Sequence, residues 1–183
     1  MTEVIRLTLV SHAMTDAMSA GRFPADEPVN DTGRRLAERL EIKGGTRQLV
    51  GPEQRVRQTA ELLGLQATKE PKLADLDCGR WRGETLQSVS AADLQTWLTD
   101  PTVAPPGGES IVELIQRVAG WLKSLESRPD NASPIFAVTH PAVIRAAIMV
   151  ALDAPPKSFW RTDIAPLSRT VMHFRGGCWT LRL

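Results

Sequence analysis

The chain has 183 residues and a formal net charge of +1, with 42% hydrophobic and 23% charged residues. That length suits one domain, 1–183, with a real core, and near-neutrality excludes a global field that would gather nucleic acid or an anionic membrane. No apolar stretch approaches a membrane span, Met1-Thr2-Glu3 lacks the basic start of a signal peptide, and Cys78 and Cys178 lie outside any metal-type spacing, so a cytoplasmic location with free thiols is expected.

Apolar runs alternate with helical patterns along the chain. This predicts an α/β fold: a three-layer α/β/α sandwich with a mostly parallel central sheet. Val4 to Val10 reads as a buried strand that runs into Ser11-His12-Ala13-Met14-Thr15. Asn30 and Asp31 can cap a helix carrying Leu36, Ala37 and Leu40. Gln48 to Gly51 is a short strand, and the helix after it holds Val56, Ala60 and Leu63 on one face. Pro71 to Thr85 reads as irregular, and Ser90 with Asp93 resembles a capping box for a helix ending near Asp100-Pro101.

Ala104-Pro105-Pro106-Gly107-Gly108 must be a loop. Ser110 and Glu113 form a second capping-box pattern, and behind them Ile111, Leu114, Ile115, Val118, Leu122 and Leu125 repeat at helical spacing. Pro134 to Thr139 is another buried strand, followed by His140-Pro141, with proline suited to the first position of a helix. That helix carries Val143, Ile144, Ala147, Ile148 and Leu152, and Arg169 to Leu183 reads as a hairpin around Gly176-Gly177.

Two strands thus end in a histidine at the switch to the next element, His12 and His140. In open α/β sheets ligands bind at the carboxyl ends of the strands, so the two imidazoles are expected to face one another there. His173, inside the hairpin, reads as structural. Arg55 opens the helix after the second strand, where free backbone N–H groups favour an anion and a guanidinium can hold two phosphate oxygens at once. On spacing alone Arg55 and Arg57 also fit a solvated helix face.

Five segments, in order, resemble the motifs of the histidine phosphatase superfamily, also called phosphoglycerate mutase-like. Leu9-Val10-Ser11-His12-Ala13-Met14-Thr15 stands where that family has Leu-Val-Arg-His-Gly-x-Thr. Gly51-Pro52-Glu53-Gln54-Arg55-Val56-Arg57-Gln58-Thr59-Ala60 is similar to Ser-Pro-Leu-x-Arg-Ala-x-Gln-Thr-Ala. The segment from Leu73 through Asp75, Gly79 and Trp81 to Gly83 is similar to Leu-x-Glu-x-x-x-Gly-x-Trp-Glu-Gly. Pro105-Pro106-Gly107-Gly108-Glu109-Ser110 fits a fourth motif, and Val138-Thr139-His140-Pro141 fits the last, with proline where glycine is usual.

The resemblance implies a phosphomonoesterase acting on a small phosphorylated metabolite through a phosphohistidine, with no metal and no bound cofactor. It makes His12 the nucleophile, Arg55 the phosphate clamp, and His140 a second donor to the same group. Asp75 stands where the family has its proton-donating glutamate, one methylene shorter; Asp77, Glu84 and Glu109 are the alternatives. Thr15 is placed in the loop below the phosphate. A true mutase is disfavoured, because no long insertion follows the Arg55 helix.

The departures are Ser11 for arginine, Ala13 for glycine, Asp75 for glutamate and Pro141 for glycine. Hydrogen bonds to charged groups contribute roughly 1.5–3 kcal/mol, and 1.4 kcal/mol is about tenfold in rate. One lost arginine therefore predicts about a 10- to 100-fold deficit. Arg22 or Arg57 is the candidate replacement cation, and Arg80 and Arg82 add positive charge near the acid loop. The alternative reading is an inactive descendant that keeps an anion-binding or interaction pocket. Trp81 and Trp97 read as core, and the oligomeric state stays open.

Overall fold

The computed structural model describes residues 4–43, 45–127 and 134–183; the reading of Met1-Thr2-Glu3 falls outside them. A six-stranded sheet organises these residues. Its strands are β1 (Ile5–Ser11), β2 (Arg47–Val50), β3 (Thr68–Lys69), β4 (Ile135–Thr139), β5 (Arg169–Arg175) and β6 (Cys178–Arg182). They lie in the order β3-β2-β4-β1-β5-β6. The pairs β3–β2, β2–β4 and β4–β1 are parallel, and the C-terminal hairpin adds β5 and β6 antiparallel along β1.

Alternation along the central strands feeds two cores. Leu7, Leu9, Ile135 and Ala137 point to one face, against buried side chains of α5 (Ile111–Glu126) and α6 (Pro141–Ala151). Val10, Val50, Phe136 and Val138 point to the other, where they meet Ala37 of α2 (Asp31–Glu38) and Val56 and Ala60 of α3 (Gln54–Leu62). Because β4 lies between two parallel neighbours and is buried on both faces, it reads as a continuous apolar run rather than an alternating one.

The predicted caps fall where the sequence puts them. The Asn30 side chain accepts from Gly33 N, and Ser110 with Glu113 completes a reciprocal capping box. Ser90 accepts from Asp93 N and starts α4 (Ala91–Thr99). Within α2 the apolar expectation is only partly met: Ala37 and Gly33 are buried, while Leu36 is 48% exposed. Gly33 explains this, since a Cβ there would run into the Met14 backbone, so the helix packs through its small residues. Five pieces were not predicted: α1 (Asp16–Ser19), the edge strand β3, two 3₁₀ turns within the irregular 71–85 segment and a third at Pro156–Arg161.

Candidate active site

The site forms where β1, β2 and β4 end. His12 follows β1, and its N–H donates to Thr139 O at the end of β4 (3.0 Å). Gly51, just after β2, donates its N–H to Val138 O (3.1 Å), which sets the start of α3 against the same edge. His140 caps α6, and Pro141 takes the first helical position, where no N–H is needed. The rings of His12 and His140 meet edge to face with centroids 5.3 Å apart. The chain thus brings together at one point two histidines far apart in sequence.

His12 is locked in one tautomer. Its Nδ1–H donates to Ala13 O (2.8 Å), so Nε2 keeps its lone pair. Burial, then the charge of His140, lowers its pKa to about 3, against the opposing pull of the Ala13 hydrogen bond. The ring is therefore neutral across the physiological range. Ala13 replaces glycine without strain: its backbone is not in the left-handed region, and its N–H donates to Thr59 Oγ1 (3.0 Å). Thr59 Oγ1 in turn donates to Arg55 O, tying the loop after His12 to α3.

Arg55 is almost wholly buried, with its guanidinium aimed into the cleft. Nη1 donates to Ala25 O (2.7 Å), Nη2 meets Asp75 Oδ2 (2.5 Å), and Glu27 lies 3.8 Å away. Arg55 Nε has no partner. Asp75 Oδ2 also lies 3.4 Å from His140 Nδ1. The carboxylate therefore sits between Arg55 and His140, in the seat an anionic ligand would take. Burial alone would raise the Asp75 pKa, but the charges of His140 and Arg55 outweigh it and hold the carboxyl below its ordinary range.

The other predicted residues fall at different distances from this point. Asp77 is exposed and accepts from Gly79 N. Glu84 is exposed and accepts from Ser88 Oγ. Glu109 pairs through both carboxylate oxygens with Arg117. Thr15 is buried, caps α1, and donates to Glu27 (3.2 Å). Arg22 lines the mouth of the cleft, but its guanidinium donates to Gly83 O (3.1 Å). Arg57 is exposed on α3, Arg80 pairs loosely with Asp93, and Arg82 borders an adjoining pocket shared with Glu53 and Asp75. Trp81 is buried as expected, whereas Trp97 both packs in the core and lines the cleft.

Ser11 is fully buried, and its hydroxyl has no hydrogen-bond partner. Among the described residues, the arginines bordering the cleft are Arg22, Arg55 and Arg145. Arg145 donates through Nε to Thr162 O, and its guanidinium lies over the Trp160 ring.

Three further residues border or brace the site without having been singled out in the sequence. Arg117 donates to Lys72 O, Ala74 O and Asp75 O and so fixes the segment that presents Asp75. Arg145 borders the cleft one turn beyond Pro141. Glu53 caps α3 and contacts both His140 and Asp75. Only Glu53 had a signal, as a charge inside the second motif. The cleft measures about 190 Å³, and Met18, Phe23, Leu76, Trp97 and Trp160 form its apolar wall. Among the described residues no group of three or more His, Cys, Asp or Glu side chains is placed to hold a metal ion.

A family model described as histidine phosphatase superfamily (branch 1) matches residues 7–183. Phosphoserine phosphatase 1 of Hydrogenobacter thermophilus is 27% identical over 184 residues, covering 93% of this chain and 87% of that protein. A bifunctional protein of Mycobacterium tuberculosis is 29% identical over 179 residues, covering 89% of this chain but 49% of its own length. Among solved structures, the mycobacterial glucosyl-3-phosphoglycerate phosphatase in complex with VO3 superposes with a TM-score of 0.81 at 23% identity, covering 97% of each chain. The chain belongs to the histidine phosphatase superfamily.

Proposed function

We propose that this histidine phosphatase hydrolyses a small phosphomonoester through a phosphohistidine at His12. The observation that carries the reading is a neutral His12 whose Nε2 lone pair is free, beside an anion seat formed by Arg55 and His140. A phosphate group entering that seat displaces the Asp75 carboxylate from Arg55. Nε2 then attacks phosphorus as the ester P–O bond breaks. The leaving oxygen takes its proton from Asp75, which the incoming phosphate charge favours in the neutral form. Water then cleaves the P–N bond, giving its proton to Asp75 and releasing inorganic phosphate. Neither step calls for a metal or a bound cofactor.

The apolar wall and modest volume of the cleft suit a compact ester. The phosphoserine and glucosyl-phosphoglycerate phosphatases among its relatives support that class without choosing within it. Arg22 lines the cleft and donates to Gly83 O, which supports a role toward the leaving group rather than the phosphate. The test is p-nitrophenyl phosphate turnover at neutral and acidic pH. Wild type is expected to turn over and His12→Ala to lose turnover. Equal rates in the two, or none in either, would support the inactive anion-binding alternative instead.

A further inference from the structure

We propose that Glu53 is a positioning residue that fixes His140 so that Nδ1 presents an N–H to the phosphoryl group, securing a donor at a site where serine stands at position 11 in place of arginine. The inference rests on the phosphatase reading above. His140 Nε2 lies 2.8 Å from Glu53 Oε2. A carboxylate only accepts, so this nitrogen carries a hydrogen. The other nitrogen, Nδ1, is buried without a hydrogen-bond partner and faces Asp75 Oδ2 at 3.4 Å, on the anion seat. With Nε2–H committed to Glu53, a neutral ring would turn a lone pair toward the phosphate. Only the doubly protonated ring turns an N–H toward it.

Glu53 is itself held for this task. It occupies the N-cap of α3 but makes no side-chain cap bond. Its Oε1 accepts from Asp75 N (3.0 Å) while Oε2 meets His140. Burial works against its ionisation, yet the hydrogen bond and charge of His140 outweigh burial and lower its pKa. The groups facing His140 are Glu53 at the N-cap of α3, Asp75 from the loop, and His12 from the end of β1, with Arg55 on the far side of the shared Asp75 carboxylate. Glu53 stands where the matching motif has leucine, and Ser11 where it has arginine.

The test compares wild type, Glu53→Gln and Glu53→Leu in three measurements. These are the pH profile of kcat/KM for p-nitrophenyl phosphate, orthovanadate affinity by calorimetry, and the ring-nitrogen chemical shifts of His140. Wild type is expected to show two N–H groups on His140 at neutral pH. The variants are expected to lose about 10- to 100-fold in kcat/KM and in vanadate affinity, with the alkaline limb of the profile moved to lower pH. Circular dichroism and the unfolding midpoint separate this from misfolding. A single N–H on His140 in wild type, or an unmoved limb with unchanged vanadate affinity in both variants, overturns the proposal. If wild type fails to turn over the ester, the phosphatase reading falls, while the nitrogen shifts and vanadate affinity still decide the role of Glu53.

Discussion

In the proposed mechanism Asp75 occupies the seat that substrate phosphate takes, so its removal is expected to separate binding from turnover. In the free protein its carboxylate makes a 2.5 Å contact with Arg55 and a 3.4 Å contact with His140. A phosphate group has to break the first of these before it can bind. Charge-assisted hydrogen bonds contribute roughly 1.5–3 kcal/mol, so Asp75→Ala is expected to tighten orthophosphate binding by about 10- to 100-fold. The same substitution removes the proposed proton source for the leaving group. General acid catalysis contributes about 100- to 10,000-fold, so kcat should fall within that range for an alkyl phosphate, whose alkoxide needs a proton. The loss should be smaller for p-nitrophenyl phosphate, whose leaving group needs little help. Calorimetry with orthophosphate and steady-state kinetics on both esters check this. Weaker phosphate binding in the variant, or equal losses on the two esters, would refute the reasoning.

Arg22→Ala is expected to change orthophosphate affinity by no more than about threefold, because an exposed side chain contributes little and its guanidinium donates to Gly83 O; calorimetry measures this directly. Ser11→Ala should leave stability within about 0.5 kcal/mol of wild type or raise it, since it removes a buried hydroxyl that lacks a partner; urea unfolding is the check. His12 gives the stability a pH dependence. Its folded pKa is depressed to about 3 from 6.5, so between these values the unfolded chain binds the extra proton. Stability on this account rises with pH through that window and falls as the medium is acidified below 6.5. A melting series from pH 7 to pH 4 should show the decline, and His12→Asn should flatten it.

The sheet and most helices were legible because local rules and tertiary packing agree there. The continuous apolar run at 135–139 belongs to a strand buried on both faces, and Ser110 with Glu113 forms the cap its pattern implies. The edge strand Thr68–Lys69 left no trace because two exposed residues carry no periodicity. At the site, the strand ends placed both histidines and the family motifs placed Arg55. The family motif pointed to Asp75 as a proton donor, but its ionised resting state was not legible. A carboxyl is judged an acid or a carboxylate by its neighbours, and those neighbours, Arg55 and His140, converge only in the folded chain. Glu53 was hidden for the same reason: its partner lies 87 residues away.

The central claim is that His12 Nε2 accepts the phosphoryl group. Rapid-quench mass spectrometry of the enzyme mixed with a phosphomonoester tests it most directly. A transient phosphoryl adduct on His12, formed and lost at rates compatible with turnover and absent from His12→Ala, is the predicted result. Turnover without any adduct on His12, or an adduct on another side chain, would contradict the account.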